Sequence, residues 1–226
     1  MVQMFNIRGR ITQYEKDMAA YEAKGIREGL IMFYGDSAFT RWSEKHGNHN
    51  LEDDIRMKDG SVAAVNHGLG GSNTEQLLYR YNRMVKPWKP RALVLKTYNN
   101  DRDAGYTPTE IVFLQSRILE WARRDFPGIK LYVCDAQAMM LGKDRKAAWY
   151  YHQLEYNELI EAYCAKHEDV KLVKISCIPE LYENQNDIGD YSKVRTDLWI
   201  EDLVHFNSKG YEVFKNFWLR ELDELL

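Results

Sequence analysis

Cysteine is scarce in this chain. Of 226 residues only Cys134, Cys164 and Cys177 are cysteines, neither an even set nor spaced closely enough to hold a metal. A disulfide framework is therefore excluded as the basis of the fold, and three reduced thiols in a cytoplasmic protein are expected. Charge of one sign is scarce as well: 31 Lys and Arg against 34 Asp and Glu leave a formal net charge of −3, with the cations scattered among the acids. Such a surface has no electrostatic footprint for nucleic acid, which is not expected as a partner. Long apolar runs are missing too. No window approaches the length of a membrane span, and the first residues lack the basic stretch, apolar run and small-residue cleavage site of an export signal. The expectation is a soluble, unexported protein. No internal repeat, low-complexity segment or Pro/Gly/Ser-rich linker divides the sequence, so one domain over residues 1–226 is expected, and 45% hydrophobic residues suffice for a sizeable core.

What is present is an alternation of short apolar, β-branched runs with longer segments of helical period, the pattern of an α/β domain with a largely parallel sheet. The spacing predicts strands from Leu30 to Tyr34, Val62 to Val65, Ala92 to Lys96, Lys130 to Cys134 and Val170 to Ile175. Ile111, Leu114, Ile118 and Trp121 share one helical face, and Leu154, Asn157, Glu161 and Cys164 form a more mixed one. The last helix has the clearest signals, with Asn207 or Ser208 as cap and Tyr211, Phe214, Trp218 and Leu222 as its apolar stripe. The connections from Asp135 to Trp149 and from Pro179 to Trp199 are long enough to serve as lids.

In an open α/β sheet ligands bind beyond the carboxyl ends of the strands. Ser37, in the turn Gly35-Asp36-Ser37, follows the first strand, Gly68-Leu69-Gly70-Gly71 follows the second, and Asn99-Asn100-Asp101 follows the third. A parallel sheet brings all three groups to one edge. A serine hydroxyl is a poor nucleophile unless a base accepts its proton and donors hold the oxyanion formed on attack. His205 is the candidate base. Asp202, three residues earlier, can hold its tautomer, with Glu201 and Asp135 as rivals. The backbone N–H groups of Ser37 and Gly71 and the side-chain amide of Asn100 are suitable oxyanion donors.

Each piece also has a plain reading, since Asp-x-x-His before a helix can be capping and the glycine and asparagine runs can be turns. Four groups in a workable order favour chemistry. His46 and His49 have no Cys or acidic cluster at ligand-like spacing and read as a polar loop, so no metal is expected. Gly68-Leu69-Gly70 begins like a dinucleotide fingerprint, but Asn73 stands where the third glycine belongs, so no nucleotide cofactor is expected. His67, His152 and His167 are expected on turns or solvated helix faces.

These blocks resemble the GDSL or SGNH hydrolase family. The resemblance rests on Phe33-Tyr34-Gly35-Asp36-Ser37, Asn66 to Thr74, Asn100-Asp101 and Asp202-Leu203-Val204-His205-Phe206-Asn207, and it covers most of the chain. Tyr14 to Ala23 and Asn157 to Lys166 also look like the compact intracellular members. The resemblance implies a three-layer α/β/α sandwich with a five-stranded parallel sheet of flavodoxin-like order. It implies hydrolysis of small acyl esters through an acyl-enzyme, with Ser37 as nucleophile, Asp202 and His205 as acid and base, and Ser37, Gly71 and Asn100 as oxyanion hole. Acetyl groups on a carbohydrate or short-chain lipids are the candidate substrates, and a non-catalytic small-ligand domain on the same fold is the rival reading. Two positions depart from the family pattern: Tyr98 and Leu203 stand where glycine is common. Tyr98, at the end of the third strand, is expected to face the cleft and bind substrate.

Overall fold

The computed structural model describes residues 12–138 and 147–226. Among them, five strands form one wholly parallel sheet: Ile31–Gly35 (β1), Ala64–Gly68 (β2), Ala92–Lys96 (β3), Lys130–Cys134 (β4) and Val170–Val173 (β5), in the order β2-β1-β3-β4-β5. The strands alternate between two apolar layers. Ile31 and Phe33 of β1 and Ala92 and Val94 of β3 join one core, with Phe214 and Trp218 of the C-terminal helix Ser208–Glu221. Met32 and Tyr34, Leu93 and Leu95 join the other, with residues of the helices Thr74–Met84, Pro108–Asp125 and Ala147–Cys164. A sheet apolar on both faces needs a layer on each, which gives the expected α/β/α sandwich.

Three strands match the sequence-based expectation closely, and β2 lies farther along the chain than predicted. Its residues Asn66 and His67 are polar, yet both are buried and bonded. Asn66 donates to the Phe39 carbonyl at 2.8 Å and accepts from Gly68 N–H at 3.0 Å, while His67 Nδ1 sits 2.7 Å from the Met84 carbonyl. Burial pushes the His67 imidazole down to about 4. His67 is thus a core residue, contrary to its expected place on a turn.

The helix Ala147–Cys164 also differs from expectation, because it buries Gln153, Tyr156 and Ile160 and leaves Leu154 and Glu161 exposed. Its buried positions include a polar one, Gln153, which donates to the Gln137 carbonyl and hides the period. The last helix is capped by Asn207 and buries Tyr211, Phe214, Trp218 and Leu222 as expected. The segment from Pro179 to Trp199 is not a loose lid: Leu181, Tyr182, Tyr191, Val194 and Leu198 are buried in the first core. Most of the Asp135 to Trp149 connection lies outside the described residues.

The order places β1 beside both β2 and β3, the switch point where open α/β sheets form their crevice. Here the chains approach too closely for side chains. A Cβ on Gly35 would lie 2.3 Å from the Lys96 carbonyl oxygen, and one on Gly68 2.4 Å from the Thr40 nitrogen. Just beyond Gly35, Asp36 and Lys96 form an ion pair at 2.9 Å with both side chains almost fully buried. Removing one partner of such a pair strands the other charge in the interior. Lys96→Met is therefore expected to lower stability by about 3–5 kcal/mol in urea denaturation, and a loss below about 1 kcal/mol would show the pair to be dispensable.

Candidate active site

Ser37 opens the short helix Ser37–Thr40, which starts two residues after β1. Asp36 caps it, accepting from Ala38 N–H at 3.0 Å while also binding Lys96. The turn is held from both sides. Leu69 N–H donates to the Gly35 carbonyl at 2.8 Å and Asp36 N–H to the Lys96 carbonyl at 3.2 Å, so the ends of β2 and β3 bracket the serine.

Across the sequence from it, His205 places Nε2 2.9 Å from Ser37 Oγ and Nδ1 2.6 Å from Asp202 Oδ2. A carboxylate only accepts, so in the neutral imidazole Nδ1 carries the hydrogen and the Nε2 lone pair faces the serine hydroxyl. The other oxygen of Asp202 accepts from Val204 N–H at 2.8 Å and His205 N–H at 2.9 Å. Burial pushes the Asp202 carboxyl up, but these hydrogen bonds outweigh it and hold the group below the usual carboxylate range. The turn that closes Asp202 onto His205 is not helical: Leu203 lies at φ 54, in the left-handed region.

Gly71, at φ 79, allows the turn after β2, which Ser72 N–H closes onto the Leu69 carbonyl at 3.0 Å. Asn100, in the helix Asn99–Asp103, donates one amide hydrogen to the Ser72 carbonyl at 3.0 Å and retains the second. Asp101 stitches the same two segments together, accepting from Thr74 N–H at 2.7 Å and Tyr98 N–H at 3.1 Å. Burial raises its carboxyl to about 7.

Ser37, Asp202 and His205 are thus brought together, and the Gly71 and Asn100 segments are tied to each other. Tyr98 is not a wall of the cleft. Its side chain is 1% exposed, its ring stacks on Tyr156 at 4.5 Å between centroids, and its hydroxyl meets His152 Nδ1 at 3.1 Å. The backbone is the reason: at φ 122 its Cβ direction differs from that of an ordinary strand-end residue, and the ring turns into the core. His152 is accordingly half-buried, with Nε2 2.8 Å from the Tyr106 carbonyl, and not on a solvated face.

Asp135 is no rival for Asp202, since both its oxygens accept from Ser176 and burial raises it to about 7. Glu201 is exposed. His49 is exposed and lies 3.3 Å from Asp54. Among the described residues no cluster of three His, Cys, Asp or Glu could hold a metal ion.

In the sequence Lys96 is the last residue of an apolar strand and carries no further signal of a site. A lysine ending the run Ala92 to Leu95 was itself the available signal, because a cation between two buried neighbours requires a partner. A cavity of about 10 Å³ beside Ser37 is lined by Lys96, Asn99, Gln137 and His205.

A doubly covered parallel sheet thus carries at its switch point a serine, an imidazole and a carboxylate in one hydrogen-bonded chain. Residues 33–213 match the GDSL-like lipase/acylhydrolase family, and the chain belongs to it. Comparison with curated protein sequences yields no match. Among solved structures, a GDSL-like lipase from Bacteroides thetaiotaomicron is 19% identical, with a TM-score of 0.68 over 95% of this chain and 97% of that one. The psychrotrophic esterase EstA from Pseudoalteromonas, inhibited by monoethylphosphonate, is 10% identical, with a TM-score of 0.64 over 87% of this chain and 98% of that one. AlinE4, an SGNH-hydrolase family esterase, is 24% identical, with a TM-score of 0.56 over 88% of this chain and 97% of that one. These likenesses show the fold.

Tyr98→Gly removes a packed ring, at a cost of about 3–5 kcal/mol, and relieves a left-handed residue worth about 1–3 kcal/mol. A net loss of roughly 2 kcal/mol is expected in urea denaturation, whereas a gain in stability would mean that the ring contributes little to the core.

Proposed function

We propose that the protein hydrolyses small carboxylic esters through an acyl-enzyme on Ser37. The observation that carries this reading is the 2.9 Å approach of His205 Nε2 to Ser37 Oγ, with Asp202 behind the imidazole. Ser37 Oγ attacks the ester carbonyl carbon while its proton passes to Nε2, and Asp202 stabilises the imidazolium that forms. The negative charge on the carbonyl oxygen is met by the backbone N–H groups of Ser37 and Gly71 and by the remaining amide hydrogen of Asn100. As the tetrahedral adduct collapses, the bond to the alcohol oxygen breaks and His205 gives that oxygen its proton. Water, deprotonated in turn by His205, attacks the acyl carbon, and the acid leaves as Ser37 regains its hydrogen. Acetyl and other short acyl groups are the substrates we favour. The phosphonate inhibition of the Pseudoalteromonas esterase fits a serine nucleophile in this fold. Three free cysteines fit a cytoplasmic location, and no helix among the described residues is long and apolar enough to cross a membrane.

Kinetics with p-nitrophenyl acetate tests the assignment. Ser37→Ala and His205→Ala are each expected to lower kcat by several orders of magnitude, and the double variant little further, because such groups act as a unit. A folded Ser37→Ala protein with near-full activity would remove the nucleophile. Asn100→Ala is expected to lower kcat by roughly 10²–10³ with KM little changed; a change in KM alone would make Asn100 a substrate-positioning residue.

A further inference from the structure

Asn99 and Asn100 are consecutive in the helix Asn99–Asp103, so their side chains leave it about 100° apart. Asn100 reaches toward the segment after β2, where it donates to the Ser72 carbonyl at 3.0 Å. Asn99 lines the crevice of about 10 Å³ that Ser37 and His205 also line, together with Lys96 and with Gln137 from the chain beyond β4. The two neighbouring amides thus serve different sides of the serine. Asn99 Oδ1 has almost no contact with solvent and, among the described residues, accepts no hydrogen bond. Buried acceptors in folded proteins nearly always have a donor, from the protein, from water or from a ligand.

The crevice narrows the choice of donor. Its volume is about that of one water molecule and too small for an alcohol or an acyl chain. Lys96 on the same wall favours the carbonyl end of the Asn99 amide there over its NH2 end. Gln137, the other amide of the crevice, donates to the Val204 carbonyl at 3.5 Å and so serves the loop that carries His205. In the second half of the reaction proposed above, one water attacks the acyl carbon on Ser37 Oγ while His205 Nε2 takes one of its protons. That water has to meet both Ser37 and His205, and the crevice is lined by both. Its other hydrogen needs an acceptor, and a neutral amide oxygen supplies one without competing with the imidazole for the proton.

We infer that Asn99 Oδ1 accepts the second hydrogen of the hydrolytic water and so positions that water for attack on the acyl-Ser37 intermediate. The inference rests on the ester-hydrolase reading and adds a residue to its second half. The water oxygen forms the new bond to the acyl carbon as one proton passes to Nε2. Collapse of the adduct breaks the bond to Ser37 Oγ, which regains that proton, and the hydrogen held by Asn99 leaves with the acid.

Kinetics with p-nitrophenyl acetate separate the two halves. The good leaving group makes acylation fast, so kcat/KM reports acylation and kcat reports deacylation. Asn99→Leu is expected to lower kcat roughly 10- to 100-fold, the loss of a buried hydrogen-bond partner, with KM falling in proportion and kcat/KM little changed. Mass spectrometry of quenched samples is expected to show acetylated Ser37 accumulating in that variant. Asn99→Asp, which keeps an acceptor oxygen, is expected to restore most of kcat, and Asn99→Ala carries the same expectation as Asn99→Leu should the latter not fold. An unchanged kcat, or an equal fall in kcat and kcat/KM with no acetyl-enzyme, overturns the inference and leaves the hydrolase reading standing. If the folded wild-type protein releases no nitrophenolate and its Ser37 stays unmodified, the hydrolase reading itself fails and this one with it.

Discussion

The buried pair of Asp36 and Lys96 is the interaction on which the site depends. Two opposite charges, almost without solvent contact, are held between the ends of β1 and β3. Their attraction offsets the desolvation of each only because the geometry is tight and the remaining acceptor capacity of Asp36 is used by Ala38 N–H. The same carboxylate therefore does two things: it anchors Lys96 and it caps the helix on which Ser37 sits. A serine placed this way is fixed by the sheet itself. The absence of side chains on Gly35 and Gly68 lets the neighbouring backbones close around it.

Around that anchor the protein tolerates strain. Among the described residues only Lys89, Tyr98 and Leu203 are non-glycine residues with positive φ. Two of the three flank the site, at Tyr98 beside Asn100 and at Leu203 between Asp202 and His205, and each stands where the family commonly has glycine. Each holds a positive φ without the residue that permits it most easily. At Tyr98 the cost is met by the N–H bond to Asp101 and by ring stacking on Tyr156. At Leu203 the two N–H groups that follow are gathered by Asp202, and Leu203 itself packs against the first core.

Much of this was legible in the residues. The parallel sheet followed from apolar runs alternating with helical period, and the order of Ser37, Gly71, Asn100 and His205 placed the site at one sheet edge. Two kinds of information were not legible. Polar residues satisfied only by tertiary partners, such as Asn66 and His67 in β2 and Gln153 in the helix before β5, broke the periodicity that marks a buried element. The direction of Tyr98 depended on a backbone angle, and a strand-end position alone gives no hint that φ is 122. Lys96 belongs with the first kind: its meaning lay in a partner sixty residues away.

We propose that Ser37 is made nucleophilic by the imidazole that reaches it. Covalent labelling of the intact protein with a fluorophosphonate, with the adduct mapped by mass spectrometry, tests this without any assumption about the substrate. A single adduct on Ser37 is expected in the wild-type protein, formed far more slowly in a folded His205→Ala variant. Labelling at another residue, or an equal rate in the two proteins, would contradict it.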